Sequence, residues 1–411
     1  MNFKAYVCGL CGREFLPDRI RYRCESCYGP LLIEYDPVSS AEKVTAKKLE
    51  TRRPGVWKYR DILPIHSSTE PVSLGEGGTP LWETKTLASS IGLSAVFVKD
   101  EGRNPTGTFK DRGATIGVTI AVEAGFKAAG TVSHGNMGTS MAAYITKAGL
   151  KGYIIAPENI SSERLLYLSV YSPKVIQVVG GYDEMYDEAI KLGEQLRVFF
   201  VNSDNPFRIE GYKTMAFEIV EDLGWEVPDW VVAPASSGGL ASGLGKGFQE
   251  FKKCGLISRM PRMAIVQPTG AQPIVRAFKE GRKTVEPMKQ PSTSIVHSLG
   301  NPNPPSGARV LNLIRETDGW AVAVTDGETT TAQRDLAKLE GIFAEPAAAI
   351  SIAGLRKLVK LGKIHKDEKA VAIASGFGFR DPGDIGKVVD KALIVDISEL
   401  AAVIAREVKE R

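Results

Sequence analysis

Along most of this chain, apolar residues recur in two alternating rhythms. Short runs rich in β-branched residues, such as VFVKDE (96–101), read as strands, and longer runs with helical spacing, such as ATIGVTIAVEAG (114–125), read as helices closed by a glycine. The alternation continues as GTVSHG strand, MGTSMAAYITKAG helix, GYIIAP strand, SSERLLYLSVY helix, KVIQVVG strand and YDEMYDEAIKLGEQL helix. VFFVNS, WVVAPAS and MAIVQP follow as strands, separated by the helices RIEGYKTMAFEIVEDLG and GLASGLGKGFQEFKK, and QPIVRAFKEG follows as a helix. Strands alternating with helices predict an α/β architecture with parallel sheets flanked by helices. No period of about 20 to 50 residues is present, which excludes a solenoid. The stretch 283–307, rich in Pro, Ser and Asn, breaks the rhythm and is expected to be an active-site loop or a segment between subunits.

The chain has 411 residues with 43% hydrophobic and 24% charged, the mix of a water-soluble globular protein large enough for two or three domains. A formal net charge of +4 and the lack of a basic block interleaved with aromatics argue against a nucleic-acid partner. The basic run LRKLVKLGKIHK keeps helical apolar spacing and reads as a solvated helix face. No run reaches the roughly 18 apolar residues of a membrane span. The opening MNFKAYVCGLCG has no apolar core of a secretion signal, so a cytoplasmic protein is expected.

Four of the five cysteines stand in the first thirty residues. Cys8, Cys11, Cys24 and Cys27 form C-x2-C-x12-C-x2-C. Each C-x-x-C turns two thiolates toward one point, and two such knuckles complete the closed tetrahedral shell of a structural Zn²⁺. Cys254 stands alone and reads as a partly buried thiol.

Three strands end in small-residue loops that open helices: SHGNMGTS (133–140), PASSGGLASG (234–243) and ASGFGFRDPG (374–383). Backbone N–H groups gathered at such helix starts hold anions, and ligands of open α/β sheets collect at the carboxyl ends of the strands. There is no strand followed by G-x-G-x-x-G, and Lys246 lacks the Walker spacing because Leu240 and Gly247 stand where Gly and Ser/Thr belong. The four histidines are scattered, which disfavours a His-ligated metal or a triad. A buried amine holding a carbonyl cofactor fits what remains, and Lys110 in NPTGTFKDRG is placed for it.

With this lysine loop, the asparagine of SHGNMGTS, the glycine loop SSGGLASG and SGFGFRDP, the chain resembles the fold-type II pyridoxal-phosphate enzymes, whose two-domain fold is that of the tryptophan synthase β subunit. Within them it is most similar to the threonine synthase family, through SLGEGGTPL (73–81), VNSDNPFRIEGYKTMAFEI (201–219), GIFAEPAAAISIAGL (341–355) and a zinc-ribbon-like front end. The resemblance implies pyridoxal 5'-phosphate on Lys110, Asn136 beside the cofactor's phenolic oxygen, and Ser236, Ser237, Gly238, Gly239 and Ala241 around its phosphate. Ser375 would stand beside the pyridine nitrogen, and Ser133, His134, Asn202, Ser203 and Arg208 would meet the substrate, a small and phosphorylated amino acid. It further implies conversion of O-phosphohomoserine and water to threonine and phosphate, in a homodimer.

The likeness departs at the substrate end. His134 and Met137 replace hydroxyl residues, Leu240 an asparagine, and Phe377 a histidine, while PENISSERL lacks two lysines of the family pattern. A serine or threonine dehydratase and a phosphoserine β-replacement enzyme therefore stay open as alternatives, as does a zinc-ribbon binding module on an inactive scaffold. The expected organisation is a ribbon at 1–36, a linker at 37–72, a large domain from 73–111 and 201–411, and a small domain at 112–200.

Overall fold

The central strands are apolar end to end because helices cover both of their faces. WVVAP (230–234) is buried at every position, and KAVAIA (369–374) at every position after the first. A computed structural model describes residues 3–133, 135–381, 385–387, 389 and 392–409. At the front, β1 (Ala5–Cys8), β2 (Glu14–Phe15) and β3 (Leu31–Glu34) form an antiparallel sheet in the order β2-β1-β3. The stretch 37–72 is more than a bare connector. It holds helices Pro37–Lys43 and Ala46–Glu50 and a 3₁₀ turn Val56–Ile62, and it buries Leu49, Tyr59, Ile62 and Leu63.

From β4 (Leu81–Glu83) and β5 (Ala95–Asp100) the chain crosses by the Lys110 helix (Lys110–Glu123) into a second sheet. There β6 (Ala128–Val132), β7 (Lys151–Pro157), β8 (Lys174–Val178) and β9 (Val198–Phe200) run parallel in the order β8-β7-β6-β9. The Arg208 helix (Pro206–Asp222) returns the chain to β10 (Trp230–Pro234), β11 (Arg262–Pro268), β12 (Trp320–Val324) and β13 (Lys369–Ala374). These complete a six-stranded sheet ordered β12-β11-β10-β13-β5-β4, parallel except for β4.

The two crossing helices meet backbone to backbone. A Cβ on Gly211 would lie 1.8 Å from the carbonyl oxygen of Arg112, and one on Gly113 would lie 2.6 Å from Cγ of Arg208. Beneath this contact, Arg112 is fully buried between Glu101 (2.7 Å) and Glu218 (2.6 Å), and Lys99 adds a third ion pair to Glu218 at 3.0 Å. Glu101 follows β5, Arg112 belongs to the first crossing helix and Glu218 to the second, so one charged knot fastens three elements.

The Lys110 helix starts at Lys110, ahead of the apolar run at 114 that announces it. Helix Pro346–Lys360 is buried through most of its length, so PAAAISIAG carries no amphipathic rhythm to reveal it. Its end takes up the first part of the basic run, with Leu355 and Leu358 inward and Lys360 exposed.

Candidate active site

Short polar contacts hold the lysine loop open. Gly107 takes φ +76°, and Asp111 turns back to accept from the N–H (2.7 Å) and hydroxyl (2.6 Å) of Thr106. The Phe109 N–H donates to the Ser375 carbonyl at 3.1 Å, stitching this loop to the end of β13. The helix therefore opens with the Lys110 side chain projecting into a cavity of about 1190 Å³ between the two sheets. Its ammonium lies 4.1 Å from the centre of the Phe109 ring, and Nζ makes no hydrogen bond to any described residue. Depth within the protein, and then the charge of Arg208, hold its pKa well below that of an ordinary lysine, against a weaker opposing pull from Glu345.

Arg208 reaches the same cavity from the first turn of its helix and is only 4% exposed. Its Nε donates to the Tyr212 hydroxyl, and its guanidinium pairs with no carboxylate among the described residues. Such a buried fork of donors is an anion site. Ser203 stands on the same wall, its Oγ 3.5 Å from the Tyr186 hydroxyl.

Beside them, Ser236, Ser237, Gly238 and Gly239 follow β10 and line the cavity, and helix Gly239–Lys253 begins with no side-chain cap. Its first N–H groups lack helical partners and face any anion laid there. Gly238 has φ +87°, and a Cβ on it would come within 2.9 Å of Val310. Leu240 also lines the cavity, while Ala241 is buried behind the loop.

Across the cavity, Asn136 Nδ2 donates to both oxygens of Glu345 at 2.9 Å, and its Oδ1 accepts from Arg380 Nε at 2.9 Å. Burial raises the pKa of the Glu345 carboxyl, with the Asn136 hydrogen bond pulling the other way. Ser375 is buried at the wall and donates to the Ala347 carbonyl at 3.2 Å. Ser133 lines the cavity and accepts the N–H groups of Gly135 (3.3 Å) and Gly138 (3.1 Å), fixing the turn into the Asn136 helix. Asn202 stands behind the wall, where its Oδ1 accepts the Val132 N–H at 2.9 Å. His134 lies outside the described residues. The irregular stretch 283–307 contributes Ser292, His297 and Asn301 to the lining.

Residues 72–376 match the family of pyridoxal-phosphate dependent enzymes. A threonine synthase of Methanocaldococcus jannaschii is 44% identical over 91% of this chain and 92% of its own length. This chain belongs to the threonine synthase family of pyridoxal-phosphate enzymes. A threonine synthase of Methanosarcina acetivorans is 40% identical over 95% of both chains. In fold, the processed form of threonine deaminase isoform 2 from Solanum lycopersicum superposes with TM-score 0.62 at 22% identity, over 79% of this chain and 86% of that one.

The cavity fits the family's cofactor. It offers a deep amine with a lowered pKa, a helix start without a side-chain cap, and a glycine whose missing Cβ leaves the loop close to Val310. The front end fits a metal. The Sγ atoms of Cys8, Cys11, Cys24 and Cys27 lie within 4.8 Å of one another, at 3.4 Å for Cys8 to Cys27 and 3.7 Å for Cys11 to Cys24. Four Zn–S bonds of about 2.3 Å in a tetrahedron require sulfurs about 3.8 Å apart.

Sequence reading passed over Asp111, Arg112, Glu345 and Arg380. The first two could have been found, because an acid and a base at the head of an apolar helix demand partners. Glu345 and Arg380 reach Asn136 only through the packing of the two sheets.

Proposed function

We propose that this protein converts O-phosphohomoserine and water to threonine and inorganic phosphate. The observation that carries the reading is the Lys110 amine, held at reduced basicity beside an unpaired Arg208 in one cavity. Bound pyridoxal phosphate supplies the electron sink that lets the substrate's C–H bonds ionise. Lys110 Nζ takes up the protons from Cα and Cβ and returns them at Cγ and Cα. The bond from Cγ to the phosphate oxygen breaks, and the water oxygen bonds to Cβ while the water's remaining proton passes to the departing phosphate. Arg208, with Ser203 and Ser133, holds the departing phosphate. Ser236, Ser237, Gly238 and Gly239 would hold the cofactor's phosphate, and Asn136, pinned by Glu345 and Arg380, would meet its phenolic oxygen. Ser375 would offer the ring nitrogen a neutral hydroxyl. The cysteine cluster would bind one structural zinc ion, and the family likeness carries with it a homodimer.

The pure protein incubated with O-phosphohomoserine should release equimolar phosphate and threonine. Borohydride treatment should leave the mass of the reduced cofactor on the peptide containing Lys110, and Lys110→Ala should abolish both results. Pyruvate or 2-oxobutanoate formed from serine or threonine, without phosphate release, would overturn the assignment.

A further inference from the structure

We infer that the cysteine-bearing N-terminal unit sets the anion-holding end of the cavity, with Arg23 as a positioning residue for Ser203 and Arg208. This rests on the reading that those two residues hold the substrate's phosphate. Arg23 lies between Cys11 and Cys24, and its Nη2 pairs with Asp204 Oδ2 at 2.7 Å, the two side chains being 14% and 3% exposed. Its guanidinium also lies over the Tyr186 ring at 5.5 Å. The Tyr186 hydroxyl accepts the Asp204 N–H at 3.2 Å and stands 3.5 Å from Ser203 Oγ. Next along the chain, Asn205 caps the Arg208 helix by accepting the Phe207 N–H at 3.0 Å.

The first turns of that helix divide their contacts between two sides. Asp204, ahead of the helix cap, and Phe207 and Glu210, three residues apart on the helix, face the N-terminal unit. Phe207 meets the rings of Tyr6 at 6.2 Å and Phe3 at 6.3 Å, and Glu210 accepts from the Tyr35 hydroxyl at 2.8 Å. Arg208 and Tyr212, four apart, face the other way, and Arg208 enters the cavity. At 3.6 residues per turn, rotation or translation of this segment moves both sets together. The ribbon's grip on one side therefore fixes where the guanidinium sits on the other.

The test uses the cofactor-loaded enzyme and inorganic phosphate as a competitive inhibitor against O-phosphohomoserine. Arg23→Gln should raise the phosphate Ki and the KM together by roughly tenfold, inside the ~10²-fold that a misplacement of about 1 Å can cost. It should leave kcat within twofold and the cofactor absorbance unchanged, and Arg23→Lys should recover most of the loss. Tyr186→Phe, a milder change, should move Ki in the same direction and serves if Arg23→Gln does not fold. Ki and KM within twofold of the parent in these variants, or a fall in kcat at constant KM, would overturn the inference. Arg208→Gln separates the two levels. If it too leaves phosphate inhibition unchanged, the anion reading of Arg208 fails; if it weakens inhibition while the Arg23 variants do not, only the role of the ribbon fails.

Discussion

Lys110, Asp111 and Arg112 are consecutive in sequence and face three different surroundings. The lysine enters the cavity, the aspartate closes its own loop on Thr106, and the arginine is enclosed between two glutamates. Arg208 invites a direct test, because a buried donor fork on a phosphate is worth about 1.5–3 kcal/mol. Arg208→Gln should thus raise KM for O-phosphohomoserine by roughly 10- to 100-fold, measured by phosphate release. Asp111 gives a pH signature. Burial raises its pKa to about 6 from 3.8, against the hydrogen bonds from Ser140 and Thr106. A raised carboxyl pKa means that this group's contribution to folding stability is fully present below about pH 4 and is lost as pH climbs through about 6. Relative to Asp111→Asn, the parent should lose up to about 3 kcal/mol across that window in urea titrations at successive pH values. Lys110 was readable from its loop because the motif surrounds it in sequence. Glu345 was not, because its partner Asn136 lies on the other sheet and no local pattern links them.

Buried elements closed by turn residues were readable even where no face meets solvent, as the strand 230–234 and the helix 206–222 show. The 182–196 helix matches its expected bounds and keeps an exposed polar face, while the 239–253 helix matches its bounds through the glycine loop that opens it, although only its last turn reaches solvent. The Pro346–Lys360 helix is buried through most of its turns and gives no such contrast. The joint between β5 and the two crossing helices depends on the charged knot. Removing its central base strands two buried carboxylates, which typically costs 3–5 kcal/mol. Arg112→Met should lower stability by about that amount in denaturant titrations, and adding Glu218→Gln should restore part of it.

At the scale of the molecule, the spacing of the cysteines foretold the metal-sized cluster but not where it would sit. The N-terminal unit shares one apolar core with the second sheet, through Tyr6, Leu31 and Ile33 against Phe199 and Phe207. Such long-range packing leaves no trace in local periodicity. Because the four sulfurs would stabilise the fold only while they share an ion, removing it with a chelator should lower Tm by a few degrees, as each kcal/mol lost shifts Tm by roughly 1 °C at this size. Re-addition of Zn²⁺ should reverse the drop in a thermal scan. No described helix is long and apolar enough to cross a membrane. The backbone contact of the two crossing helices at Gly113 and Gly211 carries one more consequence. A saturation library scored for survival should show its least tolerant positions along that contact as well as around the cavity, because there even one methyl group would wedge the two helices apart.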